Sequence, residues 1–164
     1  MGIICCLAPV NEDQINELLA EPEGISDFLE ELEEEEKVLD LDKDWHGIHF
    51  LLTGSAEEGE EPLCYLIKGG EEIGHGDFDF GPPRALRPKH IADWARAMSA
   101  ISRDELRKRF DAKAMMEAEI YPTIWDRASE DDDNLEYLLI NYEGLRSFVE
   151  QMNNERKGAI IYFM

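Results

Sequence analysis

Two uninterrupted apolar runs lie near the two ends of the chain, Ile3–Leu7 and Ala159–Met164. Runs of this length without polar alternation are typical of strands that are buried on both faces. Pro9 is expected to end the first strand, because proline lacks the backbone N–H that a sheet needs. We expect the two strands to pair within one small sheet.

Helical periodicity dominates the chain between these runs, with apolar residues recurring every three or four positions. Leu41–Gly54 is predicted as a helix because Trp45, Ile48 and His49 recur at this spacing. A long apolar stripe from Leu135 to Met152 predicts another. Further helices are expected to start near residues of types that favour helix starts: Asn11, Ser26, Pro88, Ser102 and Asp111.

The remaining segments are polar or rich in glycine and proline. Residues 55–61 are predicted as an acidic loop, and residues 74–88 as shaped loop or edge strand. Leu63–Ile67 is too short for its period to separate strand from helix. The whole pattern predicts an α+β fold. A small sheet, including the N- and C-terminal strands, packs against several helices in a single compact domain spanning residues 1–164.

Negative charge is concentrated in the first half of the chain. The formal net charge is -22, of which residues 1–80 contribute -20 from 23 acids and 3 bases. Such a surface repels phosphate backbones and anionic lipid heads, so no nucleic-acid or membrane partner is expected. It favours a basic protein as partner, although extra Asp and Glu also serve solubility alone. The acidic run 30–36 is expected to form a weak helix end, because carboxylates there oppose the helix dipole.

The three cysteines, Cys5, Cys6 and Cys64, are predicted to be buried free thiols in a reducing compartment. Their number is odd and no CxxC pair occurs. No apolar stretch reaches the roughly 18 residues that a membrane helix needs, and the N-terminal run lacks the basic start of a signal peptide. These features predict a cytoplasmic protein and leave its oligomeric state open.

The segment Leu39–Gly54, LDLDKDWHGIHFLLTG, combines Trp, two His and a closing Thr-Gly. With Gly69-Gly70, Gly81-Pro82-Pro83-Arg84 and Ile120–Trp125 in the same order, it resembles the pattern of the YfbM-like family of bacterial proteins. The resemblance covers nearly the whole chain and implies a compact α+β bacterial domain of unknown function. It supplies no established catalytic residue. Phe80 and Pro83 depart from the Tyr and Ala that the family often has there.

His46 and His49 are three residues apart and would share a helix face. With Asp42 one turn earlier they could bind a divalent metal ion, or Asp44 and a histidine could act as a general base. The sequence has neither the HExxH zinc signature nor a GxSxG nucleophile motif. We therefore expect no metal and no cofactor, and the catalytic residues stay unassigned. The structural alternative places His49 on the apolar stripe, donating a hydrogen bond to a buried carbonyl.

Arg84 follows a rigid Gly-Pro-Pro turn that could present its guanidinium to an anionic ligand. The alternative is a structural ion pair with Asp77 or Asp79. Aromatic residues at the helix-breaking Tyr121-Pro122 either line a pocket or anchor the core. The candidate ligand-binding residues are Trp45, His46, His49, Arg84, Tyr121 and Trp125.

Two functions remain open from the sequence. The first is a non-enzymatic, acidic, protein-binding domain, resembling an inhibitor or immunity protein, for a basic partner. The second is a small enzyme or small-ligand sensor with a pocket near His46, His49 and Arg84. The second requires these three side chains to meet in one open cleft.

Overall fold

The computed structural model describes residues 2–75, 80–127 and 133–164. Within them the chain forms five strands and seven α-helices, in the order β1 (Cys5–Val10), α1 (Glu12–Ala20), α2 (Ile25–Glu34), β2 (Leu39–Asp40), α3 (Trp45–Thr53), β3 (Glu71–Glu72), β4 (Arg84–Leu86), α4 (Pro88–Ser99), α5 (Arg103–Arg109), α6 (Ala112–Glu117), α7 (Asn134–Asn154) and β5 (Gly158–Phe163). The strands form one antiparallel sheet in the order β2-β1-β5-β4-β3. The expected α+β fold, with the two terminal strands paired, is confirmed.

The central strands β1 and β5 are apolar throughout because helices cover both faces of the sheet. Successive side chains of a strand point to opposite faces. Cys5 and Leu7 therefore join one hydrophobic core, together with residues of α3 to α7. Cys6 and Ala8 join the other, beneath α1 and α2. The sheet thus separates a larger core from a smaller one.

The first strand continues through Pro9 to Val10, so the prediction that Pro9 ends it is wrong. Ile4 and Met164 exchange both backbone hydrogen bonds beside this strand pair. Such pairs alternate along an antiparallel ladder with pairs that exchange none. This alternation puts Pro9, opposite Ala159, at a position without a bond to β5. On the β2 side, the strand pairing reaches only Cys6 and Leu7 and does not extend to Pro9. The N–H that proline lacks is therefore not needed for a bond in the sheet.

Most predicted helix starts are confirmed. Three predicted caps accept a hydrogen bond from the backbone N–H three residues later: Asn11, Ser102 and Asp111. Pro88 is the first residue of α4. The prediction for Ser26 is wrong, because a 3₁₀ turn (Pro22–Gly24) runs directly into α2. Gly24 therefore takes the cap position, and Ser26 lies inside the helix.

Helix α3 approaches α7 and the loop before it closely because of Gly47. A Cβ atom at this position would lie 2.7 Å from Leu138 Cδ1 and 2.8 Å from Trp125 Cη2. Glycine inside a helix costs roughly 0.5–1 kcal/mol relative to alanine. The close approach accounts for a residue that helix propensity disfavours, and it fixes the helix that carries His46 and His49.

The predicted burial of the cysteines is confirmed. Cys5, Cys6 and Cys64 are free and buried. Burial raises the pKa of the Cys6 thiol to about 12 and raises the pKa of Cys5 further. Across the described ranges, no helix is both long enough and apolar enough to cross a membrane.

Candidate functional site

The first turn of α3 forms an aromatic cluster with Tyr121, which lies in the loop after α6 (the Tyr121 loop). The Trp45 ring stacks against both His46 and Tyr121, with ring centroids 5.0 and 5.8 Å away. Trp45 Nε1 donates a hydrogen bond of 2.9 Å to the Ile3 carbonyl. The Ile3 N–H in turn donates to the Tyr121 hydroxyl at 2.8 Å. These contacts tie α3 and the Tyr121 loop to the segment that leads into β1.

Both ring nitrogens of His46 are engaged by the backbone. Nε2 lies 2.9 Å from the Ala56 carbonyl oxygen, and Nδ1 accepts a hydrogen bond of 2.9 Å from the Tyr121 N–H. Because a backbone N–H can only donate, Nδ1 is unprotonated and Nε2 carries the hydrogen. Burial lowers the pKa of His46, in keeping with a neutral ring. No nitrogen of His46 is left to bind a metal ion or accept a substrate proton.

His49 lies in the core, as its position on the apolar stripe predicts. Its Nε2 is 2.9 Å from the carbonyl oxygen of Glu58 and 3.3 Å from Thr53 Oγ1. Its Nδ1 is buried and has no hydrogen-bond partner among the residues that the structure describes. Burial lowers the pKa of His49 to about 4. His49 is therefore a neutral core residue that fastens the loop 55–61 to α3.

The two acids considered as partners for these histidines bind elsewhere. Asp44 precedes α3 but forms no capping bond, because its backbone is helical rather than extended. Its carboxylate accepts a hydrogen bond of 2.7 Å from Asn141 Nδ2, and burial raises its pKa to about 6. Asp42 accepts a hydrogen bond of 2.8 Å from the Tyr137 hydroxyl. In the part of the chain that the structure describes, no three His, Cys, Asp or Glu side chains converge as a metal site.

Arg84 lies in β4, inside the sheet, and is not presented by an exposed turn. It is 9% exposed, and burial lowers its pKa. Its guanidinium donates hydrogen bonds of 2.8 to 2.9 Å to three backbone carbonyls: Tyr65, Leu66 and Gly69. These bonds hold the turns of residues 61–67 against the sheet. The acids considered as alternative partners, Asp77 and Asp79, lie outside the described residues.

The six predicted ligand-binding residues do not surround one cleft. Trp45, His46 and Tyr121 meet, but the partners of Arg84 belong to residues 65–69 and are shared with none of them. Trp125 is 3% exposed and donates to the Ile120 carbonyl at 2.9 Å. None of the six lines the cavities described at α3, at Pro62 or between α4 and α7.

The structure instead organises the charge into one layer. Residues 11–36, which form α1, the 3₁₀ turn and α2, contain twelve acids and no base, and every one of these acids is exposed. We call this surface the acidic layer. Glu12 anchors it to Arg87 at 3.4 Å, and Glu33 accepts a hydrogen bond of 2.6 Å from the Tyr162 hydroxyl. The charge run was visible in the sequence, but not that two helices present it on one face of the sheet.

Sequence reasoning also missed a cavity of about 570 Å³ between α4 and α7. Small residues face each other there, with Ala92 and Ala95 on α4 and Ser147 on α7. Arg146 and Glu150 line the same space. The small residues at helical spacing are visible in the sequence. They indicate a cavity only once α4 and α7 are known to pack against each other.

Comparisons with known proteins agree on one family. The profile of a family described as "Domain of unknown function (DUF1877)" matches residues 1–162. Protein YfbM of Escherichia coli strain K12 is 27% identical over 168 residues, which cover 98% of this chain and 97% of that protein. The crystal structure of YfbM, described as a protein of unknown function from Escherichia coli, superposes with a TM-score of 0.76 and 27% identity. That match covers 98% of this chain and 99% of that chain.

Proposed function

This chain belongs to the DUF1877 family of domains of unknown function, and from that premise we propose that it is a non-enzymatic protein-binding domain for a basic partner. The acidic layer is the binding surface, in the manner of an inhibitor or immunity protein. One observation carries the proposal: residues 11–36, which form α1, the 3₁₀ turn and α2 on one face of the sheet, contain twelve exposed acids and no base.

The acids at the C-terminal end of α2 weaken that helix. The last turn of α2 carries acids and no base, so its charges oppose the helix dipole. Glu30 and Glu34 lie four residues apart on α2 and repel each other. A basic surface docked on this layer would relieve both effects. Complementary charge also steers a partner toward this face and speeds association.

Capture of partners on the immobilised protein tests this function. Source lysate is passed over wild type and over the triple variant Glu30→Gln, Glu31→Gln, Glu34→Gln at salt of about 50 mM and about 500 mM, a range that screens surface charge. We expect a basic protein to bind wild type at low salt and elute at high salt. The α2 variant should bind the same protein, once purified, at least about tenfold more weakly.

A matched triple variant controls for net charge. Asp104→Asn, Glu117→Gln and Glu119→Gln remove three exposed acids from the opposite side of the sheet. This variant should keep the partner. The proposal fails if no salt-sensitive basic protein is recovered, or if the two triple variants lose the partner equally.

A further inference from the structure

The cavity between α4 and α7 lies on the face of the sheet opposite the acidic layer. Its volume of about 570 Å³ is within the range of sites for small molecules. Both walls belong to long helices that pack on the larger core, so the cavity is formed by rigid elements. Ala92, Ala95 and Ser147 are small enough to leave this space open.

Arg146 lines this cavity and has no carboxylate partner among the described residues. Its guanidinium carbon lies 5.8 Å from the centroid of the Tyr142 ring. Helical side chains lean toward the N-terminus, which places the guanidinium over the residue four positions earlier. The Tyr142 ring is fixed, because it is buried and its hydroxyl donates to the Ile101 carbonyl at 2.7 Å. Arg146 forms no ion pair with a residue that the structure describes.

Two carboxylates on α7 line the cavity, and neither neutralises Arg146. Glu143 is directed to Arg103, at 3.7 Å. Glu150 follows Arg146 by four residues, which is the weaker order for a helical pair because an acid preceding a base is favoured. Within the described ranges, Glu150 also forms no ion pair. Arg96, the other cation of the lining, pairs with Asp93 at 3.4 Å. Arg146 and Glu150 therefore line one cavity without an ion pair to any described residue.

We propose that this cavity binds a small zwitterion of the amino-acid type. The ligand carboxylate binds Arg146, whose guanidinium offers two parallel donors to a carboxylate. The ligand ammonium group binds Glu150. A zwitterion suits this protein better than an anion, because a net charge of -22 repels anions and leaves a neutral molecule unaffected. The hydroxyls of Ser99 and Ser147, on opposite walls, add hydrogen-bonding groups.

Titration followed by amide NMR tests the proposal with defined probes. Glycine, L-alanine and L-glutamine are added to about 20 mM, enough to detect a Kd in the millimolar range. We expect saturable shifts of the amides of Ala92, Ala95 and Ser147. Three control probes lack the paired charges of a zwitterion: acetate and inorganic phosphate carry only negative charge, and ethylamine carries only positive charge. Each should bind at least about tenfold more weakly than the best amino acid.

Substitutions that remove single charges separate binding in this cavity from general effects of surface charge. Arg146→Gln and Glu150→Gln should each weaken amino-acid binding at least about tenfold. Arg156→Gln and Glu117→Gln, which alter charges outside the cavity, should leave binding unchanged. The proposal is overturned if no amino acid gives saturable shifts, if the Arg146 and Glu150 variants bind like wild type, or if phosphate binds more tightly than every amino acid. Because the acidic layer lies elsewhere, either proposal can fail without the other.

Discussion

Replacing Asp44 with Asn removes a carboxylate that burial makes costly to ionise. Asp44 is 5% exposed, and burial raises its pKa from an ordinary 3.8 to about 6. An Asn side chain still offers an oxygen to Asn141 Nδ2, which now donates to the Asp44 carboxylate at 2.7 Å. We expect Asp44→Asn to stabilise the folded protein at pH 7.

The size of the gain follows from the pKa. A rise of about two pH units corresponds to ~3 kcal/mol, at about 1.36 kcal/mol for each unit. Losing a negative charge beside the α3 N-terminus costs about 0.3–1 kcal/mol. The net gain at pH 7 is therefore about 2 kcal/mol. Folded Asp44 binds its proton more readily than the unfolded chain does, so the penalty in wild type is complete above pH 6 and absent below 3.8.

His49 titrates in the opposite sense over nearly the same range. Burial lowers its pKa from 6.5 to about 4. The unfolded chain therefore takes up this proton first, and stability falls as the pH drops from 6.5 to 4. The loss is ~3 kcal/mol, close to what wild type regains through Asp44. Asp44→Asn should steepen acid destabilisation. His49→Gln, whose amide can donate to the Glu58 carbonyl, should leave the Asp44 contribution unopposed, so that stability rises as the pH falls from 6 toward 4.

Urea unfolding followed by tryptophan fluorescence at several pH values between 7 and 4 measures these slopes. Asp27→Asn, an exposed position on α2, controls for the removal of a negative charge. An Asp44→Asn variant less stable than wild type at pH 7 would contradict the cost assigned to the buried carboxylate. The same pH dependence of stability in wild type, Asp44→Asn and His49→Gln would contradict the assigned titrations of Asp44 and His49.

Three further substitutions test the packing. Gly47→Ala should destabilise by about 1–2 kcal/mol despite the better helix propensity of alanine, because the new methyl overlaps Trp125 and overpacking costs more; a stabilised variant in urea unfolding would contradict this. Arg84→Met should cost at least about 3 kcal/mol by leaving three carbonyls unpaired, and hydrogen exchange should rise across residues 61–70; unchanged exchange there would count against the role of Arg84. Tyr121→Phe should cost about 1 kcal/mol and speed exchange of the Ile3 amide, which loses its acceptor; an unaffected Ile3 amide would refute the contact.

Elements specified by neighbouring residues could be predicted from the sequence. Asn11, Ser102 and Asp111 cap their helices through bonds that span three residues, so local sequence was sufficient. Pro9 was mispredicted because its tolerance depends on its register with β5, a strand about 150 residues away. Ser26 was mispredicted because a 3₁₀ turn, which has no strong sequence pattern, joined directly to the helix.

The candidate site was less predictable because its residues are used by distant backbone groups. Nδ1 of His46 accepts a hydrogen bond from the N–H of Tyr121, 75 positions away. Arg84 is occupied by carbonyls 15 to 19 positions before it. Motif spacing in the sequence does not predict hydrogen bonds between residues this far apart. Charge asymmetry could be read directly, but its gathering on one face depends on both helices lying between β1 and β2 in the chain.

The pairing of β1 with β5 has a consequence for synthesis. Cys5–Val10 is made about 150 residues before its main partner Gly158–Phe163, which at roughly 5–20 residues per second is a delay of about 8–30 s. During that interval an apolar strand is open to pairing with other nascent chains. The acids of residues 12–36 follow it immediately and repel such neighbours. The acidic layer therefore also serves as a gatekeeper while the sheet is incomplete.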